Sequence, residues 1–311
     1  MDGDPKISFL ISTDDHPPDL DRFFGSLIEQ SIAPTDYECI VIDSSRTTEY
    51  APAYQRALRR KNENLRVHYE PIAKGGRASA YNRGLPLCRA PIVLFFGDDY
   101  LANPRTAEAH LRFHREHPER NLVGVGSAIL VEEMRSHFSV WAEESGELYG
   151  VPFSKNMTSV PEHFFYIGNT SIKREFLLEA GPFDENFQFH AWDDYELGLR
   201  LTKLGMKSAY VPDATAQHVH DLPLQERCHA MVHAGQCAAV FDRKYGGWQP
   251  WHRKCRIPPW RHHVSAMRSR FKYAVRGRES DLIAYYRRRL DASFVTGYRI
   301  AGGPALTSAP V

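Results

Sequence analysis

Three short and predominantly apolar runs in the first hundred positions constrain the fold most strongly. They are KISFLIS at residues 6–12, ECIVI at residues 38–42 and PIVLFF at residues 91–96. Short runs in which apolar residues follow one another without strict alternation are typical of strands buried on both faces, as in parallel sheets covered by helices. Residues 20–28 carry apolar side chains at helical spacing, so the sequence predicts an alternating α/β domain.

Polar side chains stand where each of these strands ends. Ser12 and Thr13 end the first, Asp43 follows the second, and Asp98 and Asp99 follow the third. Because the carboxyl ends of parallel strands meet at one edge of a sheet, where ligands bind, we expect a ligand site there. Two adjacent carboxylates can hold a divalent cation and, through it, a diphosphate. The alternative is that they cap a helix or a turn.

A second acidic pair begins an amphipathic helical pattern at residues 193–204. Asp193 and Asp194 would complement the helix dipole there, which is a purely structural role. In the functional alternative, one of the two removes a proton from a substrate hydroxyl as a general base. Position alone does not decide between these roles.

Two histidines, His218 and His220, follow a predicted short strand at residues 209–212. Alternate residues of an extended chain point to opposite sides, so we expect only one of the two to join Asp99 at a cation. The residues themselves leave open which histidine does so.

The segment Lys74-Gly75-Gly76-Arg77 precedes a predicted helix at residues 76–87. It matches neither the dinucleotide-binding fingerprint nor the Walker A loop. Glycines before a helix nonetheless expose backbone N–H groups to an anion, and two cationic side chains are close by in the sequence. The segment is therefore a candidate anion site.

In this order, the motifs resemble those of the family 2 glycosyltransferases, inverting enzymes of the GT-A fold that use nucleotide-diphosphate sugars. The matching stretches are ISFLIST (7–13), SLIEQS (26–31), ECIVIDSS (38–45), GGRASAYNRGL (75–85), PIVLFFGDDYLANP (91–104), IGNTSIKREFLLEAGPFDE (167–185) and WDDYELGLRLTKLG (192–205). The resemblance implies an α/β, GT-A type fold with a doubly wound mixed sheet flanked by helices. It covers residues 6–220 and does not reach the last ninety residues.

The expected organisation has three parts. Residues 1–103 form the nucleotide-sugar-binding half of the GT-A domain, residues 104–221 form its metal and acceptor half, and residues 222–311 form a helical, basic C-terminal extension.

The resemblance also implies roles for individual residues, in four groups. Ser12, Asp43, Gly76, Asn82 and Asp98 bind the nucleotide; Asp99 and His218 hold a divalent cation, Mn²⁺ or Mg²⁺; Asp194, with Asp193 beside it, is the catalytic base; and Asn169 and Trp192 lie near the donor sugar or the acceptor. The implied reaction is a single displacement, in which the deprotonated acceptor hydroxyl attacks the anomeric carbon opposite the leaving group and inverts it.

Three positions depart from the family pattern. Ser44 stands in the segment that often reads D-D-G-S in the family, which bears on the identity of the nucleotide base. Tyr81 replaces the usual Arg of A-R-N, so the charge of the diphosphate must be offset by the metal, Arg77 or Arg83. Gly97 occupies the first position of the D-x-D signature.

The C-terminal part is strongly basic. Residues 250–311 contain thirteen Lys or Arg against three Asp or Glu, although the formal charge of the whole chain is only +1. This excess fits packing against the acidic body, or an anionic membrane surface that Lys and Arg contact with Trp and Tyr at the interface. Nucleic acid is not expected, because no recognised binding motif accompanies the charge.

The five cysteines lie far apart without metal-binding spacing, which favours a reducing compartment. With an acidic N-terminus that does not resemble a secretory signal, they predict a cytoplasmic location, peripheral to the inner face of a membrane if the basic part docks there.

The predicted partners are a nucleotide-sugar donor, for which a UDP-sugar is expected, and a glycan, lipid or small-molecule acceptor. Two alternatives remain. One is a sugar-1-phosphate nucleotidyltransferase, although the loop TDDHPP after the first strand lacks the expected glycines. The other is a non-catalytic GT-A-like binding module, which has no need of either Asp99 or Asp194.

Overall fold

The structure is a computed structural model. It describes residues 4–13, 20–45, 52, 65–72, 75–149, 158–189, 191–220 and 222–303. The chain divides into two compact units. The first comprises Met1–Arg135, Ala142–Glu185 and Asp193–Asp221, and the second comprises Ser136–Trp141, Asn186–Trp192 and Leu222–Val311. Two short segments of the expected catalytic part thus belong to the C-terminal unit, and the expected division near residue 103 stays a prediction.

Among the described residues of the first unit, eight strands form one mixed sheet. They are β1 (Ile7–Thr13), β2 (Tyr37–Asp43), β3 (Arg66–Pro71), β4 (Ile92–Phe96), β5 (Tyr100–Ala102), β6 (Leu122–Leu130), β7 (Asn169–Lys173) and β8 (Lys207–His218). Their spatial order is β3-β2-β1-β4-β7-β6-β8-β5. The strands β1 to β4 pair in parallel, whereas β7 is antiparallel to both β4 and β6. The expected mixed sheet is confirmed.

The apolar runs are buried because each strand supplies side chains to two cores. Every residue of β1, β2 and β4 is buried. Leu10, Ile40 and Phe95 belong to the core on one face of the sheet, while Phe9 and Val41 belong to the core on the other. The burial of both faces therefore explains why apolar residues predominate on both sides of these strands.

Helices alternate with the strands along the chain, and several of them lie where the sequence predicts them, near residues 20–28, 76–87 and 193–204. They are α1 (Leu20–Ile28), α2 (Arg77–Gly84), α3 (Thr106–Glu116), α4 (His137–Glu144), α5 (Arg174–Glu179) and α6 (Asp193–Lys203). The predicted helix at 76–87 is present as α2 and a following 3₁₀ turn, Leu85–Leu87. A helix-like stretch predicted around residues 54–60 lies outside the described residues.

Strand β8 is longer than the predicted strand at residues 209–212. Pro212 does not end it, because it lies where the register between β6 and β8 shifts, and a strand tolerates a residue without an N–H group at such an irregularity. The strand therefore continues to His218, which pairs with Tyr100 of β5. This pairing brings the end of β8 next to Asp99.

The C-terminal unit is helical, as expected. It contains α7 (Leu224–Tyr245), α8 (His252–Cys255), α9 (Pro259–Arg276) and α10 (Glu279–Ile300). Helices α7 and α10 touch at two glycines: a Cβ atom on Gly235 would collide with the carbonyl oxygen of Phe294, and one on Gly297 with that of Val232. Within the described ranges, no helix has both the length and the apolar character needed to cross a membrane.

A buried carboxylate joins three segments of the C-terminal unit. Asp242 Oδ2 lies 2.7 Å from His252 Nε2 and accepts hydrogen bonds from Tyr298 Oη at 2.6 Å and Trp251 Nε1 at 3.2 Å. Because the carboxylate is 4% exposed, these donors replace the water that it loses on folding.

Candidate functional site

The polar ends of β1, β2 and β4 meet at one edge of the sheet. Thr13 and Asp43 are register partners at the ends of β1 and β2. Thr13 Oγ1 donates to Asp98 Oδ2 at 2.9 Å, and Ser44 Oγ donates to the carbonyl oxygen of Thr13 at 3.1 Å. The structure thus brings together the three strand ends that the sequence singles out.

The side chains of Asp43 and Ser12 differ in their hydrogen bonding at this edge. The Asp43 carboxylate accepts a hydrogen bond from the Ser45 amide at 2.8 Å and another from the hydroxyl of Tyr69. Ser12 Oγ is buried and has no hydrogen-bond partner within the part of the chain that the structure describes. A buried hydroxyl without a partner is costly, so Ser12 is suited to contact a ligand.

Asp99 faces two histidines. Its Oδ2 atom lies 3.0 Å from His218 Nε2 and 3.9 Å from His220 Nδ1. Both histidines therefore lie near Asp99, and which of them joins it at a cation stays a prediction. Strand β8 ends at His218, so the alternation of an extended chain does not apply to His220.

The other nitrogen of His218 is also engaged. His218 Nδ1 lies 2.8 Å from the hydroxyl of Tyr149. A hydrogen bond at this nitrogen fixes the orientation of the ring and directs Nε2 towards Asp99. Tyr149 lies in a segment whose sequence shows no periodic pattern, and nothing in the spacing of residues points to it.

The histidines control the ionisation of Asp99. Burial alone would raise the pKa of this carboxyl group, but the nearby His218 and His220 outweigh it and lower the pKa below the usual value. Asp99 therefore carries its negative charge under all ordinary conditions, which is the form that a cation requires.

One carboxylate oxygen and one imidazole nitrogen, from Asp99 and His218, make a donor set suited to a divalent cation. Within the described ranges, no three His, Cys, Asp or Glu side chains are grouped so that they could hold a metal ion. A cation at Asp99 and His218 would therefore take its remaining ligands from the oxygens of a bound diphosphate and from water.

Asp193 and Asp194 differ sharply in their surroundings. Asp193 is fully buried, and its carboxylate accepts two hydrogen bonds from the guanidinium of Arg77. Arg77 Nε donates to Asp193 Oδ2 at 2.9 Å, and Nη2 donates to Oδ1. Asp194 is 21% exposed and lies 3.7 Å from Arg77 Nη2. Its Oδ1 accepts a hydrogen bond from the Tyr195 amide at 2.8 Å. Asp193 thus serves as an anchor, whereas Asp194 can reach a substrate.

The pKa of Asp194 is raised. Removal of its carboxyl group from water is the largest cause, and the charge of Asp193 adds to it, while Arg77 acts in the opposite direction. A carboxylate with a raised pKa is a better proton acceptor near neutral pH than an ordinary aspartate.

Tyr81 is influenced by the acidic residue Asp98 at the end of β4 and by Asp193 and Asp194 at the start of α6. Burial raises its pKa, Arg77 lowers it, and the charges of Asp193, Asp98 and Asp194 raise it further. All four charged side chains are therefore close enough to act on one buried phenol. Tyr81 also lies one helical turn after Arg77 and packs edge-on against Phe95 of β4, with ring centroids 5.2 Å apart, so β4 and the Arg77–Asp193 pair lie on either side of it.

Gly76 lies just before α2, where its predicted contact with an anion stays a prediction. The side chain of Asn82 accepts from the Phe183 amide at 2.8 Å and donates to Glu185 at 2.8 Å, and its contact with the nucleotide stays a prediction. Arg83 pairs with Glu70 at 2.5 Å. Asn82 thus ties α2 to the loop before α6, a role that its sequence position does not reveal.

Asn169 is fully buried inside the sheet. Its amide nitrogen donates to the carbonyl oxygens of Ser127 and Ala214, at 3.1 and 2.9 Å, and its oxygen lies 3.0 Å from His110 Nε2. These contacts give Asn169 a structural role, and its predicted proximity to a sugar stays a prediction.

Trp192 belongs to the C-terminal unit and precedes Asp193 directly in the chain. Its backbone has a φ of 72°, which is uncommon for a residue other than glycine. The indole packs edge-on against Trp251, with ring centroids 4.6 Å apart, and lines a cavity of about 840 Å³ within that unit. The sugar contact predicted for Trp192 likewise stays a prediction.

Known structures share this fold. The mannosyltransferase from Pyrobaculum calidifontis in complex with GDP-Man and Mn²⁺ aligns over 96% of this chain and 87% of its own, with a TM-score of 0.59 and 18% identity. Residues 1–349 of TarS from S. aureus in complex with UDP-GlcNAc align over 95% of this chain and 90% of theirs, with a TM-score of 0.56 and 14% identity. These similarities confirm the expected GT-A type architecture.

Sequence similarity extends to characterised enzymes. A validoxylamine A glucosyltransferase from Streptomyces hygroscopicus subsp. limoneus is 28% identical over 232 residues, which are 65% of this chain and 49% of that protein. The chain spans about half the length of this protein and of a second curated validoxylamine A glucosyltransferase that it matches. The family described as Glycosyl transferase family 2 matches residues 8–179, more than half of the sequence. The chain therefore belongs to glycosyl transferase family 2.

Proposed function

We propose that the chain moves a sugar from a nucleoside-diphosphate donor to an acceptor hydroxyl, with inversion at the anomeric carbon. The observation that carries this proposal is the accessible carboxylate of Asp194. It stands beside the buried Asp193–Arg77 pair, and Tyr81, one helical turn after Arg77, packs edge-on against Phe95 of β4 with ring centroids 5.2 Å apart. A proton acceptor and a diphosphate-binding edge close to each other are what such a transfer requires.

In this proposal, Asp194 removes the proton of the acceptor hydroxyl as that oxygen attacks the anomeric carbon. Asp193 positions Asp194 without itself touching the substrate, since its carboxylate is fully buried, and Arg77 holds Asp193 in place. Inversion follows because the proton acceptor and the leaving diphosphate act on opposite faces of the sugar.

Asp99 and His218 would hold a divalent cation, Mn²⁺ or Mg²⁺. When bound, this ion supplies positive charge that offsets the charge developing on the leaving diphosphate. Tyr149 orients the imidazole of His218 through Nδ1, at 2.8 Å. Mn²⁺ accompanies the donor in the related mannosyltransferase structure, which supports the choice of ion.

Ser12, Asp43 and Asp98 would contact the nucleoside part of the donor. They stand at the ends of β1, β2 and β4, and the buried Ser12 hydroxyl is available for a ligand. We propose a UDP-sugar as donor. One related structure contains GDP-Man and another contains UDP-GlcNAc, so both classes of donor belong in the test.

The experiment is a donor panel. The full chain is incubated with UDP- and GDP-sugars, Mn²⁺ and glycan, lipid or small-molecule acceptors, and the released nucleoside diphosphate is measured against Asp194→Asn. We expect release with one donor class, an acceptor product of inverted anomeric configuration, and loss of both in the variant. Pyrophosphate released from a nucleoside triphosphate and a sugar 1-phosphate would instead identify a nucleotidyltransferase. Donor binding without any product would identify a binding module, and either result would overturn the proposal.

A further inference from the structure

Helix α9 exposes a row of large apolar side chains. Trp260, Val264, Met267, Phe271 and Val275 are 59%, 43%, 55%, 70% and 67% exposed. They follow one another at intervals of four, three, four and four residues, so on a helix they fall within an arc of about 80°. We call these five residues the α9 stripe.

Packing within the C-terminal unit does not account for the α9 stripe. The buried residues of this helix, His262, Ala266 and Ser269, lie on its opposite face, and the helix packs against α10. Ten large hydrophobic side chains are exposed among the described residues, and five of them form this single row. Scattered exposed apolar residues are normal, but a continuous exposed row marks an interaction surface.

The formal charges on α9 itself are of one sign. Helix α9 contains no Asp or Glu, and its five basic residues are Arg261, Arg268, Arg270, Lys272 and Arg276. At helical spacing, Arg261, Arg268 and Lys272 flank one side of the stripe, and Arg270 flanks the other. An apolar row with cationic margins is the pattern of a helix that lies in the plane of a membrane interface.

We propose that the α9 stripe docks the chain onto a bilayer that contains anionic phospholipids. Trp260, Met267 and Phe271 enter the boundary between headgroups and acyl chains, while the flanking Arg and Lys side chains bind lipid phosphates. This inference goes beyond the proposed function and does not depend on it.

The positive charge of α9 favours an anionic bilayer over a second copy of the chain as the partner. If two α9 stripes packed together, the basic margins of one helix would face those of the other. No acidic residue of α9 would offset the repulsion. An anionic lipid surface, in contrast, attracts the same margins.

The test is co-sedimentation of the full chain with vesicles. One set contains phosphatidylcholine and phosphatidylglycerol, and the other contains phosphatidylcholine alone. We expect binding to the anionic vesicles that weakens as salt is added, because exposed charges are screened, and much weaker binding to the neutral ones. Absence of binding to anionic vesicles at low salt would overturn the proposal.

The stripe itself is tested with Trp260→Ser/Phe271→Ser/Val275→Ser. This variant should lower the affinity for anionic vesicles by about tenfold or more, since each removed side chain loses its apolar burial in the interface. The matched control is Leu178→Ser/Leu204→Ser in the first unit, whose side chains are 46% and 44% exposed. We expect the control to bind like the unmodified chain.

Folding and self-association are checked on the same samples. Phe271→Ser alone provides a second variant if the triple substitution does not fold, and it should still weaken binding measurably. Unchanged binding in a folded stripe variant would contradict the proposal. Sedimentation velocity without lipid adds one further outcome: a dimer that the stripe variant converts to monomer would identify a second copy, rather than a bilayer, as the partner.

Discussion

Arg77 forms a bidentate ion pair with the fully buried carboxylate of Asp193. The guanidinium Nε donates to Asp193 Oδ2 at 2.9 Å, and Nη2 donates to the other oxygen. The contact joins the first residue of α2 to the first residue of α6, although the two are 116 positions apart. It therefore fixes the place of the next residue, Asp194.

This ion pair predicts a large loss of stability in Arg77→Ala. Removing one member leaves a buried charge without a partner, which costs about 3–5 kcal/mol. The matched control is Arg83→Ala, whose exposed pair with Glu70 should contribute less than about 1 kcal/mol. Urea unfolding of both variants measures the difference. Equal, small losses in the two variants would contradict the structural role of the pair.

The raised pKa of Asp194 predicts the pH dependence of transfer. The base acts in its deprotonated form, so kcat/KM should fall as the pH drops through the pKa of Asp194. Because burial raises that pKa, the fall should begin at a higher pH than for an ordinary aspartate. Donor binding measured over the same pH range is the control. A rate that stays level down to the ordinary aspartate range would contradict the assignment.

The contact between Tyr149 and His218 predicts an indirect effect on cation binding. Tyr149→Phe removes the hydrogen bond at His218 Nδ1 and should weaken Mn²⁺ affinity about tenfold to a hundredfold, measured by titration in the presence of UDP. Asp99→Ala should abolish the binding, and Tyr273→Phe in the C-terminal unit should leave it unchanged. Undiminished Mn²⁺ affinity in Asp99→Ala would rule out this cation site.

Two buried histidines predict a loss of stability in mild acid. Burial lowers the pKa of His110 to about 4. Burial, assisted by the charge of Lys173, lowers that of His114 to about 3. In the unfolded chain both bind a proton below about pH 6.5, so the unfolded state takes up more protons and stability falls as the pH drops.

The expected loss between neutral pH and about pH 5 is up to about 2 kcal/mol per histidine. Urea unfolding at both pH values measures it. His114→Gln should make the dependence on pH shallower, whereas His68→Gln, at an exposed position, should leave it unchanged. A free energy of unfolding that does not change between neutral pH and about pH 5 would contradict this prediction, because it would mean that the folded protein protonates both histidines as readily as the unfolded chain does.

The polar residues at the edge of the sheet could be predicted from the sequence, because the pattern that indicates them involves only neighbouring residues. Each apolar run and its polar end, such as Asp43 or Asp98, are adjacent in the chain, and parallel strands bring such ends together. The ion pair of Arg77 could not be predicted in this way, because its partner lies 116 residues away and depends on how α2 and α6 pack.

Other differences have similarly specific causes. The sequence pattern ended β8 at Pro212, because the register shift that accommodates this proline is a property of the pairing with β6. That extension is what carries His218 to Asp99. The ligand contacts of Asn82 and Asn169 come from a resemblance and stay predictions. Their hydrogen bonds to the backbone of Phe183 and Ala214 could not be predicted, because only the fold brings these groups close.

The central claim is that Asp194 is the proton acceptor and Asp193 its anchor, and the transfer rate of Asp194→Asn tests it most directly. The substitution keeps the size of the side chain but removes its ability to accept the proton. With the donor and acceptor identified by the panel, we predict that single-turnover transfer falls about a hundredfold or more, with donor affinity unchanged. Transfer at nearly the original rate by folded Asp194→Asn would contradict the claim.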